Sequence, residues 1–201
     1  MASTLSLSMD TPNSGLAGFV GPFESVVISV PTGGGAATIT VTGLTQGADT
    51  YKFGSQGALG LNLTNTGVDL SGLSWTGGNA NTAFSLGGAG TLDGFGLFNW
   101  SLNGFDGFGS SVSSLSFVLT PTSGVFTDAN SVLTPNAGNG NEIAAHTFVV
   151  CGSDCRSQGA SGYVTSNLVS SGPPTPEPST LFMGILGLAA IVASKYRRQR
   201  C

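Results

Sequence analysis

Cys151 and Cys155 flank a Gly-Ser-Asp segment, and His146, the one histidine of the chain, lies five residues before the first of them. Two chemistries suit this group. The cysteines can close a small disulfide loop, the usual fate of paired cysteines in an exported chain. Alternatively, His146, Cys151 and Cys155, with Asp154 as a fourth ligand, could hold zinc. Structural zinc sites, however, usually combine a short cysteine pair with a second ligand pair, which this sequence lacks. The disulfide Cys151–Cys155 is therefore the expectation, and no metal or cofactor is assigned. So small a loop gains little from chain entropy, so the bond would chiefly pin a Gly/Ser segment.

Other residues that could do chemistry are scattered. A Ser-His-Asp triad would have to use His146 with serines and aspartates that are merely abundant, and no G-x-S-x-G elbow is present. The carboxylates stand singly, without a pair marked for glycoside hydrolysis. "GFGLFNWSLNGFDGFG" (94–109) has the glycines of a phosphate loop but neither its lysine nor its strand-to-helix setting; it reads as two core strands and a turn. Trp75 and Trp100, each near Asn or Asp, are candidates to face a glycan, although tryptophan also serves as a buried anchor between sheets. Asp93, Asp106 and Asp128 lie in Gly/Asn-rich turns where calcium could find oxygen ligands, but turn chemistry alone accounts for Asp there. No catalytic residue is assigned, and a non-enzyme is expected.

These residues sit on segments with strand character. "ESVVISV" (24–30), "AATITVTGL" (36–44), "DTYKF" (49–53), "ALGLNLT" (58–64), "LSGLSWTG" (70–77), "FGLFNWSLN" (95–103), "SSLSFVLT" (113–120) and "AAHTFVVC" (144–151) are separated by Gly, Asn, Asp and Ser turns. Ile39 and Val41 alternate with Thr38, Thr40 and Thr42, and Leu115, Phe117 and Leu119 alternate with Ser114, Ser116 and Thr120. That period of two marks half-buried strands. The expected body is an all-β, antiparallel β-sandwich over residues 16–170, with the cysteine loop inside a hairpin joining "HTFVV" to "GYVTSNLV".

Only 8% of the 201 residues are charged, against roughly 25% in ordinary soluble domains. The charges are also segregated. Residues 1–178 hold all ten carboxylates against Lys52 and Arg156, a formal charge of −8. Such a body does not attract nucleic acid, which needs clustered Lys and Arg. The remaining basic residues, Lys195, Arg197, Arg198 and Arg200, crowd the C-terminus.

They follow an uncharged apolar run: Leu181, Phe182, Met183, Gly184, Ile185, Leu186, Gly187, Leu188, Ala189, Ala190, Ile191, Val192 and Ala193. With Thr180 and Ser194 the run makes a helix of about 22 Å, short of the roughly 30 Å hydrocarbon core. Interfacial Tyr196 and snorkelling Lys/Arg side chains make up the difference. The run is apolar all round, unlike an amphipathic core helix, and the basic cluster reads as a cytoplasmic topology signal. The expected plan is an N-terminal segment (1–15), the sandwich (16–170), a Pro-rich linker (171–180), one membrane helix (181–195) and a basic tail (196–201).

The order Pro176-Glu177-Pro178, apolar helix, arginine-rich end resembles the PEP-CTERM sorting signal of Gram-negative bacteria over residues 176–200. The segment from Asp93 to Val164, with "GFGLFNWSL", "SSLSFVLT", "AAHTFVV", a short Cys loop and "SGYV", is similar to a common ectodomain pattern of that family. The resemblance implies that a membrane-embedded exosortase recognises Pro176, Glu177 and Pro178. It implies a transient inner-membrane anchor, then release to the cell envelope or an extracellular, exopolysaccharide-rich matrix. Two prolines suit this role because they keep a segment extended and unpaired. An exported chain also needs an N-terminal signal with a basic start and an apolar stretch. "MASTLSLSMDTPNSG" has neither, so the true start is expected upstream, with cleavage near Ala2 and Ser3. The function expected is display at the surface, with a carbohydrate-binding module or adhesin as the alternative and a matrix hydrolase third.

Overall fold

The computed structural model describes residues 1–104, 107–151 and 158–166. The strands, in chain order, are β1 (Ser3–Met9), β2 (Thr11–Pro12), β3 (Glu24–Val30), β4 (Ala37–Gly43), β5 (Thr45–Gln46), β6 (Asp49–Phe53), β7 (Leu59–Leu61) and β8 (Val68–Gly77). They continue with β9 (Phe84–Leu86), β10 (Gly90–Leu92), β11 (Gly96–Phe98), β12 (Trp100–Gly104), β13 (Val112–Pro121), β14 (Ile143–Cys151) and β15 (Ser161–Thr165). Among the described residues the helical pieces are single 3-10 turns. The chain is all-β, and the ladders are antiparallel.

Alternation explains the strands. Val26, Ile28 and Val30 of β3, Ala37, Ile39 and Val41 of β4, and Leu115, Phe117 and Leu119 of β13 are all buried, while their outward neighbours carry hydroxyls except at Val27 and Val118. Each large aliphatic or aromatic side chain buried this way contributes roughly 1.5–3 kcal/mol. β1 obeys the same rule, with Leu7 and Met9 buried between Ser6, Ser8 and Asp10. Sequence reading placed this segment ahead of the folded body. Here it is a full strand, paired with β3 from Ser3↔Val30 to Met9↔Glu24.

Two ladders result. The first runs β1–β3–β4–β13–β8. The second is centred on β14. On one side β14 pairs β15, which pairs β2. On the other side it pairs β7 through Ala145 and β6 from Thr147 onward, and β7 leads to β12 and β9. β6 joins the ladders: Phe53 pairs both Thr147 of β14 and Val112 of β13. The hairpin β14–β15 is the one expected around the cysteine loop. Residues from both ladders share one core cluster, including Ile28, Ile39 and Phe117 of the first and Leu61, Trp100 and Val149 of the second.

The segment 95–103, read as one strand, is two. Among the described residues β11 pairs only β10, while β12 joins β7. Asn99 sits at the break and uses its side chain as a strand would use its backbone. Its Oδ1 accepts from Leu63 N at 2.8 Å and its Nδ2 donates to Leu63 O at 2.8 Å. Edge strand β8 is interrupted by register shifts against β13, one of them beside Gly72, whose φ of +60° favours glycine. Bulges of this kind twist an exposed edge away from further pairing.

Candidate functional site

A cavity of about 280 Å³ lies where the second ladder meets the β10–β11 hairpin. β12 supplies Ser101 and Asn103, the turn before β7 supplies Gln56 and Gly57, β10 supplies Thr91 and Leu92, and β15 supplies Tyr163. Asn103 Oδ1 accepts from Gly57 N at 2.8 Å, and Ser101 Oγ donates to Gly88 O at 2.8 Å. Gly87 lies so close that a Cβ there would stand 2.5 Å from Ser101 Oγ and 2.6 Å from Asn103 Nδ2. Glycine is thus required for the β9–β10 loop to rest on these side chains.

Tyr163 donates its hydroxyl to Gln56 O at 3.3 Å and stacks on His146, with centroids 4.6 Å apart and planes at 18°. Burial first, and the nearby Asp93 carboxylate second, push its phenol above the usual pKa of 10.0. Tyr163 N also donates to Asn13 Oδ1 at 3.1 Å, and Asn13 Nδ2 donates to Asp93 Oδ2 at 3.2 Å. Asn136 Nδ2 donates to Phe95 O at 2.9 Å and ties the 136–141 loop to the β10–β11 turn.

The residues singled out from sequence do not converge here. Trp75 is 38% exposed at the β8 edge, its ring 5.5 Å from Phe84. Trp100 is 3% exposed and stacked on Phe117 at 5.6 Å. As a glycan contact Trp100 is therefore corrected: its ring fills the core and has no face to offer a sugar. His146 lies on β14 among aromatic rings, its centroid 4.6 Å from Tyr163 and 4.8 Å from Phe148. Asp128 caps a 3-10 turn, its Oδ1 accepting from Asn130 N and Ser131 N. Among the described residues no group of three or more His, Cys, Asp and Glu is placed to share a metal ion.

Cys151 ends β14 opposite Asp49. Cys155, Asp154 and Asp106 lie outside the described residues, and with them the expected disulfide. The sorting motif Pro176, Glu177 and Pro178, the apolar run 181–193 and the basic cluster Lys195, Arg197, Arg198 and Arg200 also lie outside them. Among the described residues no helix is long and apolar enough to cross a membrane.

Sequence reasoning missed Glu24. Its carboxyl is fully buried, Oε1 accepts from Thr147 Oγ1 at 2.6 Å, and Oε2 has no hydrogen-bond partner among the described residues. Burial raises its pKa to about 8, outweighing the hydrogen bond from Thr147, which lowers it. The signal was present: Glu24 is in phase with Val26, Ile28 and Val30, the inward positions of its strand.

The polar alternation legible at Thr38, Thr40, Thr42, Ser114 and Ser116 continues across the outward face of the whole first ladder. One rung across it reads Ser8, Ser25, Thr42, Ser114 and Thr76. The next reads Ser6, Val27, Thr40, Ser116 and Ser74, and a third Thr4, Ser29, Thr38, Val118 and Ser71. None of these residues is charged. Hydroxyls on neighbouring strands are paired, Thr40 with Ser116 at 3.0 Å and Thr76 with Ser114 at 2.8 Å.

No family model, no curated protein and no solved structure matches this chain.

Proposed function

We propose that this chain is an exported, non-enzymatic surface or extracellular-matrix protein, sorted through its C-terminal segment by an exosortase. The observation that carries the reading is the order of parts in the sequence: Pro176-Glu177-Pro178, the uncharged run 181–193, then Lys195, Arg197, Arg198 and Arg200. In this reading residues 181–195 form one helix that anchors the chain in the inner membrane until processing, after which the body reaches the cell envelope or matrix. The two antiparallel ladders are read as the layers of a β-sandwich, since both contribute to one apolar cluster. The test is the intact mass of the mature protein from each cell fraction of its native host. A species ending near residues 176–179, recovered outside the inner membrane, is the expected result. A full-length species retaining Arg200 in the inner membrane would overturn the reading.

A second reading, a carbohydrate-binding module or adhesin on the same body, is favoured by the uncharged hydroxyl-bearing face of the first ladder. Each hydroxyl both donates and accepts, which suits a neutral polyhydroxylated partner such as an exopolysaccharide. Of the two tryptophans, only Trp75 remains a candidate contact. Binding of the full-length protein on a glycan array tests this reading, and the absence of any binding removes it.

A further inference from the structure

Among the described residues, none that lines the cavity beside Tyr163 is charged. A phosphate or carboxylate would seek charged donors, and a hard cation would seek carboxylates; neither is in the lining. The groups that are present ask for a neutral ligand able to donate and accept. Asn103 Oδ1 is occupied by Gly57 N, which leaves Nδ2 as the donor. Nδ2, the Gln56 amide and the Thr91 hydroxyl make no hydrogen bonds among the described residues. Exposed Ala89 adds apolar surface for a C–H face.

The lining is held in place before any ligand arrives. Asn103 is fixed by Gly57 N, Ser101 by Gly88 O, and the Tyr163 ring by its stack on His146. The volume of about 280 Å³ is at the lower end of small-molecule cavities, roughly 300–1,000 Å³, and suits one ring rather than a chain.

We propose that this cavity binds one ring of a neutral sugar, with Asn103, Gln56 and Thr91 meeting its hydroxyls and Ala89 its apolar face. The proposal rests on the carbohydrate-binding reading above and gives it a site.

Ligand-observed NMR on the full-length protein, with glucose, galactose, mannose, rhamnose and N-acetylglucosamine as probes, tests it. Two variants report on the cavity. Gly90 has ordinary φ, and a Cβ there would be 4.0 Å from its nearest neighbour, Ser101 Oγ, so Gly90→Val fills space without forcing the backbone. Asn103→Asp keeps the acceptor for Gly57 N and removes the Nδ2 donor. The expected result is binding of at least one sugar, weakened tenfold or more by each variant, with the thermal unfolding midpoint of Gly90→Val unchanged. Sugar binding that both variants leave intact overturns the site while the carbohydrate-binding reading stands. Binding lost only in Trp75→Ala moves the site to the β8 edge and likewise overturns the proposal. No binding of any probe, together with a blank glycan array, overturns both.

Discussion

Thr147 donates its hydroxyl to Glu24 Oε1 at 2.6 Å, joining β14 of one ladder to β3 of the other, two strands that share no backbone pairing. The carboxyl is buried without a counter-charge, and Thr147 is its sole hydrogen-bond partner among the described residues. Burial keeps it neutral to about pH 8.

Stability should therefore fall as pH rises. Glu24 holds its proton in the folded state up to about pH 8, whereas the unfolded chain releases it near 4.5. Between those values the folded state binds one more proton, so unfolding free energy drops by about 1.4 kcal/mol per pH unit. The contribution is fully present below pH 4.5 and lost as pH passes 8. Urea titrations between pH 5 and 9 should show this slope in wild type and a flatter profile in Glu24→Gln. Equal slopes in the two proteins would remove the assignment.

Breaking the pair on one side should be worse than removing both sides. Thr147→Val leaves the carboxyl with no hydrogen-bond partner and should destabilise by roughly 1–3 kcal/mol. Glu24→Met with Thr147→Val replaces both groups by apolar ones and should recover most of that loss. The interaction term of the double-mutant cycle is the readout, and strict additivity would argue against the pairing.

The two tryptophans should separate cleanly. Trp100→Ala removes a core ring stacked on Phe117 and should destabilise by about 3–5 kcal/mol. Trp75→Ala, at a 38% exposed edge, should destabilise by roughly 1 kcal/mol, the worth of an edge aromatic pair. Acrylamide should quench the fluorescence of Trp100→Phe, which retains Trp75, far more than that of Trp75→Phe.

Asn136 should act as a fastener. Its side chain accepts from Asn139 N at 3.0 Å and donates to Phe95 O at 2.9 Å while 5% exposed. Asn136→Ala should cost roughly 1–3 kcal/mol by stranding those groups and should raise amide exchange in the turn at 93–96. Exchange that rises equally across the whole sheet would mean global rather than local loosening.

The strands themselves were legible because burial on one face leaves a period of two that needs no tertiary knowledge. Ile39 and Val41, or Leu115, Phe117 and Leu119, declare their inward face in the sequence. β1 was as legible as these, since Leu5, Leu7 and Met9 alternate with serines. Polar residues nonetheless outnumber apolar ones across residues 1–15, which masks the short alternation. The break at Asn99 was not legible: a side chain that imitates strand hydrogen bonds leaves no local pattern, and its partner Leu63 is 36 residues away.

Local patterns along the chain set the class of secondary structure, the segregation of charge, and the order of motif, apolar run and basic cluster at the C-terminus. All of these are local or additive properties of the chain. Tertiary structure alone decided which tryptophan is buried, which glycines press on Ser101 and Asn103, and that Glu24 would meet Thr147 from 123 residues away. Those outcomes depend on which strands become neighbours. Strand order is set by long-range pairing, and no local sequence pattern encodes it.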